Sequence, residues 1–203
     1  MQNKISVVLR NLEKRSQLEK SRKINVNKDQ RMLAITKETG MFFHKLLVSI
    51  KARQVLELGT SVGYSTLWFA DALAQNHKKS KIITIEQNSQ KVKRAMKNFE
   101  RAGVAKMILI KHGKILDVLK SMPKNPRFDF VLIDADKENA KKYFDLVLPM
   151  TKIGGIIATD NMLYPEKYRK IMYKYSRYIA KKSNVRTATL PFGNGEEITI
   201  RIK

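Results

Sequence analysis

The sequence predicts an α/β fold: a doubly wound, mostly parallel sheet with helices on both faces, closed by an antiparallel C-terminal hairpin and preceded by extra N-terminal helices. Three observations predict it. From Arg53 onward, short β-prone apolar runs alternate with longer segments whose apolar residues recur at helical spacing. Two of the runs, FDFVLI and GGIIAT, have the unbroken apolar character of buried strands. Both end abruptly on acid or amide side chains, the pattern of strands that carry ligands on their carboxyl tips. With 203 residues, 43% of them hydrophobic, the chain can bury one substantial core. A single domain over residues 1–203 is expected, with N-terminal helices over 1–50 and the α/β core over 51–203.

Taken in order, residues 1–23 place Ile5, Val8, Leu9 and Leu12 at helical spacing between charges, which predicts an amphipathic helix that needs a partner. That partner is either the rest of the domain or a second subunit. After the polar break KINVNKDQ, Thr36 can cap a second helix, with Glu38 favouring its first turn and Gly40, Phe43, Leu46, Leu47 and Ile50 facing inward. The predicted strands are QVLEL, KIITIE, KMILIK, FDFVLI and GGIIATD. Between the second and third, Val92, Ala95, Met96, Phe99 and Ala102 form a helical stripe closed by Gly103. A later helix aligns Tyr168, Ile171, Met172, Tyr175 and Ile179 on one face, with its basic residues on the other. The tail carries two β-prone runs around Pro191, Gly193 and Gly195 and is predicted to close the sheet as a hairpin.

Composition narrows the chemistry. The chain has no cysteine, so disulfides, thiol nucleophiles and iron-sulfur clusters are excluded, and the three histidines, His44, His77 and His112, have no ligand-like spacing. No apolar run reaches membrane-spanning length and the N-terminus is too charged for a secretory segment, so a cytoplasmic protein without membrane contact is expected. The excess of 41 Lys+Arg over 18 Asp+Glu gives a net charge of +23. Such an excess favours polyanions through counterion release, which makes RNA a candidate partner. Lysines dispersed over a solvated surface would give the same count, and that reading is slightly favoured.

The first predicted strand runs into VLELGTSVGYS. There Glu57, Gly59, Thr60, Ser61, Gly63, Tyr64 and Ser65 form a strand end, a tight turn and a helix start, where a ligand can approach bare backbone and unpaired N–H groups. The glycine spacing is not that of a dinucleotide fingerprint, and no Lys-Ser or Lys-Thr pair follows as in a phosphate loop. Glu86, on the next strand tip, can accept both hydroxyls of a ribose. Gly113, after the third strand, leaves room for an adenine ring. Asp134 with Asp136 and Lys137, then Asp160 with Asn161, sit on the tips of the last two core strands. Asp134, Asp160 and Asn161 offer hard oxygen donors for a divalent cation beside a catalytic lysine, Lys137. For Asp136 a helix N-cap is the preferred role.

ELGTSVGYS, Glu86, IDADK and TDN, in this order from about Ile35 to the C-terminus, make the chain resemble the metal-dependent S-adenosylmethionine O-methyltransferases related to catechol O-methyltransferase and the caffeoyl-CoA enzymes. The resemblance implies a Rossmann-like core. It also implies that Ile35, Glu57, Gly59, Thr60, Ser61, Gly63, Tyr64, Ser65, Glu86, Gly113 and Asp134 hold S-adenosylmethionine, and that Asp134, Asp160 and Asn161 hold Mg2+ or another divalent cation such as Ca2+ or Mn2+. Lys137, with Asp134, falls on the catalytic positions. The acceptor it implies is a small molecule with adjacent oxygens, and some relatives methylate hydroxylated uridine in transfer RNA instead. Resemblance and the N-terminal helix together favour a homodimer. This chain departs from catechol O-methyltransferase at Ala135 and Asp136, where an aromatic gate is lost, and at Lys114, Ile115 and Leu116 near the adenine position. A short loop after Asn161 predicts an open acceptor site.

Overall fold

Five apolar runs make the parallel heart of a seven-stranded sheet: β1 (Gln54–Leu58), β2 (Lys81–Glu86), β3 (Ile108–His112), β4 (Phe128–Ile133) and β5 (Thr151–Thr159). The computed structural model describes residues 3–77 and 79–203, with all their side chains except those of Asn3 and Lys28. The strand order is β3-β2-β1-β4-β5-β7-β6, where β6 (Val185–Leu190) and β7 (Glu196–Arg201) are the C-terminal hairpin. β7, not β6, pairs with β5, antiparallel, with Thr159 opposite Glu197. The order in which the chain adds strands across the sheet reverses between β1 and β4, which are themselves parallel. In open α/β sheets that crevice is where ligands bind.

Period-two alternation divides the core. Val55, Ile82, Phe130, Leu132 and Ile156 face α1 (Asn3–Lys20), α2 (Lys37–Ser49), α3 (Tyr64–Asn76) and α4 (Ser89–Ala102). Leu56, Leu58, Val131, Ile133 and Ile157 face α5 (Ile115–Ser121), α6 (Ala140–Val147) and α7 (Arg169–Ala180). On the first side the rings of Phe43, Phe69 and Phe130 meet edge to face, with centroids 5.4, 5.6 and 6.3 Å apart, an arrangement favoured by the ring quadrupoles.

Most predicted elements stand where the sequence puts them, with three differences. The third strand begins at Ile108, because Ala105–Met107 forms a 3-10 turn ahead of it. Met96 is 49% exposed, since the inner face of α4 follows Lys91, Ala95, Phe99 and Ala102 instead. The fifth strand starts earlier, at Thr151, and its register shifts between Phe128 and Phe130. Thr36 caps α2 by accepting the Thr39 amide at 3.1 Å, and left-handed Gly103 closes α4. The amphipathic helix α1 packs on its own domain, burying Ile5, Val8, Leu9 and Leu12; residues 1, 2 and 78 lie outside the described ones.

Candidate active site

The β1–α3 turn is built from left-handed residues. Gly59 (φ 103°), Ser61 (φ 48°) and Gly63 (φ 85°) turn the chain sharply from the tip of β1 into α3. At Gly59 a Cβ would run into the backbone carbonyl oxygen of Asp134. The tips of β1 and β4 therefore touch at the reversal point because this residue has no side chain. Backbone bonds stitch the tips together: Gly59 N donates to Ile85 O at 3.0 Å, Asp134 N to Leu58 O at 2.9 Å, and Asp160 N to Ile133 O at 3.2 Å.

Glu86 braces the turn from the tip of β2. Its carboxylate accepts Ser61 N at 2.8 Å and Asn88 N at 2.9 Å, which leaves lone pairs for the hydroxyls of a ribose. The Ser61 hydroxyl is buried with no hydrogen-bond partner among the described residues, an unpaired group that a bound cofactor would satisfy. Gly113 donates its amide to Glu86 O at 3.0 Å, so the third strand tip adjoins the same site.

Glu57 is placed differently from the expected cofactor contact. It is completely enclosed, and its carboxylate accepts Ser65 Oγ and Thr66 Oγ1, both at 2.5 Å, and Thr84 Oγ1 at 2.6 Å. Burial pushes its carboxyl up to about 7, against the pull of those three hydroxyls. Glu57 and Ser65 thus tie β1, β2 and α3 together beneath the turn. Tyr64 also points elsewhere, donating its hydroxyl to Glu13 of α1 at 2.8 Å. Ile35 is buried among the helices on the α1–α4 face.

At the tips of β4 and β5, Lys137 is 6% exposed and its Nζ stands 3.4 Å from Asp134 Oδ1. Asp136 occupies the N-cap position of the 3-10 turn Lys137–Asn139 but makes no backbone cap there. It accepts Asn139 Nδ2 at 2.6 Å and the Tyr143 hydroxyl instead, fixing the turn that carries Lys137. Asp160 is buried, and Asn161 follows it in the left-handed region at φ 68°, a conformation asparagine tolerates better than most residues. Burial, and then the charge of Asp134, raise the Asp160 carboxyl above its ordinary range.

One acid next to Asp160 escaped the sequence reading. Glu196, at the start of β7, is fully buried and accepts Thr39 Oγ1 at 3.0 Å. Burial, and then the Asp160 charge, push its carboxyl up. The sequence signal was the acid pair Glu196-Glu197 opening a β-prone run, where an alternating strand buries at least one of them. Among the described residues no three acid or histidine side chains already form a cage for a metal ion. The Asp134 and Asp160 carboxylates, within electrostatic range of each other and of Lys137, are donors of the hard-oxygen type that Mg2+ or Ca2+ takes.

A glycine turn against the adjoining strand tip, a glutamate on the next tip and an acid pair on the neighbouring tips place the chemistry-bearing residues of this α/β fold at one end of its parallel strands. A sequence model of the O-methyltransferase family matches residues 9–202, and the chain belongs to that family. It is 35% identical over 133 residues to a catechol O-methyltransferase of Niastella koreensis, a match over 64% of this chain and 59% of that protein. To a caffeoyl-CoA O-methyltransferase of Mesembryanthemum crystallinum it is 30% identical over 190 residues, covering 84% and 74% of the two chains. Its fold matches an O-methyltransferase from Bacillus cereus solved in complex with SAH, with a TM-score of 0.78 at 24% identity over 99% of this chain and 91% of that one. Among the described residues, no helix is long and apolar enough to cross a membrane.

Proposed function

We propose that this chain is a divalent-metal-dependent O-methyltransferase that moves the methyl group of S-adenosylmethionine to a hydroxyl of an acceptor with adjacent oxygens, a catechol-like small molecule. The observation that carries the proposal is the contact between the cofactor turn and the acid tips: Gly59 lies against the Asp134 carbonyl, with Lys137 3.4 Å from the Asp134 carboxylate. The kinship with catechol O-methyltransferases supports the choice of acceptor.

Methyl transfer is an in-line displacement, so its rate depends on holding the oxygen nucleophile and the sulfonium methyl in one geometry. The Gly59–Ser65 turn would seat the methionine end of the cofactor, Glu86 its ribose, and Gly113 would border the adenine. Asp134, Asp160 and Asn161 would hold the cation, Mg2+ or else Ca2+ or Mn2+. A cation held there would lower the pKa of an acceptor hydroxyl and help orient the acceptor. Lys137, braced by the Asp136–Tyr143 contact, takes the remaining proton as general base. Exposed Val7 and Leu18 on α1 and Met41 on α2 support a homodimer built on the N-terminal helices.

The test is transfer of labelled methyl to a panel of catechols, with magnesium and with a chelator. Asp134→Ala should lower turnover at least ~100-fold, the scale of losing a group that acts in the transition state. Unchanged metal-dependent turnover in that variant would remove the site. A second reading, methyl transfer to hydroxylated uridine in transfer RNA, is supported by one feature. A groove of about 560 Å³ between α1 and α4 is rimmed by Lys14, Arg15, Arg94, Lys97 and Arg101, a basic surface of the kind that binds phosphate backbones.

A further inference from the structure

The antiparallel register that sets Thr159 against Glu197 places Glu196 beside the first residue past β5, which is Asp160. One oxygen of Glu196 accepts the Thr39 hydroxyl at 3.0 Å. The other, Oε2, is buried, receives no N–H or hydroxyl among the described residues, and lies in hydrogen-bonding range of the Asp160 carboxyl. Asp160 is the first charge this carboxylate meets, and Asp134 also lies within electrostatic range. Two buried acids facing each other are among the costlier features a fold can retain unless a proton or a cation sits between them. Lys137 is the charged side chain that opposes these acids. With Asp134, Asp160 and Glu196 all ionised against Lys137, as a bound divalent cation would hold them, the region carries two negative charges in excess, the number that one such cation balances.

We propose that Glu196 belongs to the cation centre as a positioning residue: braced by Thr39, it orients Asp160 from behind and adds a third negative charge that strengthens divalent-cation binding. This rests on the metal-dependent reading of the site. Glu196 does not act as one arm of a preformed cage, since among the described residues no three acids stand in one; it acts through Asp160 and through its field. The Thr39–Glu196 contact spans 157 positions of sequence. It also joins the start of α2 to the hairpin, so the brace and the charge can be varied separately.

The experiment is calorimetric titration of metal-stripped protein with Mn2+, followed by titration with S-adenosylmethionine. Glu196→Gln keeps the shape and an oxygen for Thr39 but removes the charge, and should weaken Mn2+ binding by about tenfold or more while leaving metal-free cofactor affinity unchanged. Thr39→Val keeps the charge and removes the brace, and should weaken Mn2+ binding by a smaller factor. Asp160→Asn serves as the reference. If wild-type protein binds no Mn2+, or Asp160→Asn binds it as well as wild type, the metal reading itself fails. If Asp160→Asn loses Mn2+ but Glu196→Gln binds it as tightly as wild type or tighter, the metal reading stands and the role of Glu196 is overturned. Should Glu196→Gln not fold, Thr39→Val decides: wild-type Mn2+ affinity there would also overturn the positioning role.

Discussion

Replacing Gly59 by alanine perturbs the point where the two halves of the site touch. Two costs can be worked out from the structure. At φ 103° an L side chain sits outside even the small left-handed region, a strain of order 1–3 kcal/mol. The new methyl group would also run into the Asp134 carbonyl oxygen, a backbone atom that cannot swing aside, adding roughly 1–3 kcal/mol of overpacking. A total of about 4 kcal/mol corresponds to a fall in melting temperature of about 8–16 °C for a domain of this size. The clash can relax only by parting β1 from β4, so cofactor affinity should fall with stability. The assay is thermal melting alongside calorimetric binding of S-adenosylmethionine, with Val131→Ala as a control. That variant empties part of the core behind the same strand, costs about 2–4 kcal/mol, and should leave cofactor affinity within about twofold, because Val131 does not reach the turn. The reasoning is refuted if Gly59→Ala melts like wild type, or if Val131→Ala weakens cofactor binding as much.

Glu57 should make stability depend on pH. Its carboxyl is raised from 4.5 to about 7 in the folded protein, so its contribution is fully present below pH 4.5 and is lost as pH rises to about 7. That gap corresponds to about 3 kcal/mol. Melting temperature should therefore decline from pH 5 to pH 8 in wild type and less steeply in Glu57→Gln; parallel profiles would count against the enclosed, proton-holding state. For the RNA reading, the double variant Lys97→Glu, Arg101→Glu changes two exposed residues of the basic groove. It should weaken binding of bulk transfer RNA in fluorescence anisotropy and lower the salt slope by about 2, without altering catechol methylation. Absence of binding at low ionic strength would dismiss an RNA partner.

How much was legible in the sequence followed from how local each cause was. The core strands announced themselves because parallel strands buried on both faces are apolar at every position, and their last residues are the first to meet solvent or ligand. Thr36 and Gly103 were readable for the same reason: a cap is an interaction within one turn of helix. Long-range pairing was not readable. Glu57 looked like a cofactor contact, but it is closed in by Thr84 from another strand and by Ser65 and Thr66 from α3. The hydroxyl of Tyr64 was drawn off by Glu13, 51 positions away. Glu196 carried a weak local sign, two acids at the head of a strand, but its meaning depends on the β5–β7 register and on Thr39.

These long-range bonds also bear on where selectivity resides. Strand tips stitched by backbone bonds are poor places to vary a substrate, because in-line methyl transfer loses rate steeply when its atoms are displaced by an ångström. The loop after Asn161 is tied instead to the hairpin turn: Met162 N donates to Gly195 O, and Leu163 N and Tyr164 N donate to Asn194 O, each at 3.0 Å. Gly195 permits this, since its φ is 85° and a Cβ there would strike Leu163. The Tyr164 side chain nevertheless stands 64% exposed. A fixed backbone with a free aromatic side chain can exchange acceptors by changing side chains while the reacting centre keeps its geometry. Tyr164→Ala should then alter KM for a catechol acceptor more than kcat, the mark of lost binding rather than lost transition-state stabilisation. An equal fall in both kcat and kcat/KM would place Tyr164 in the chemistry and contradict this division of labour.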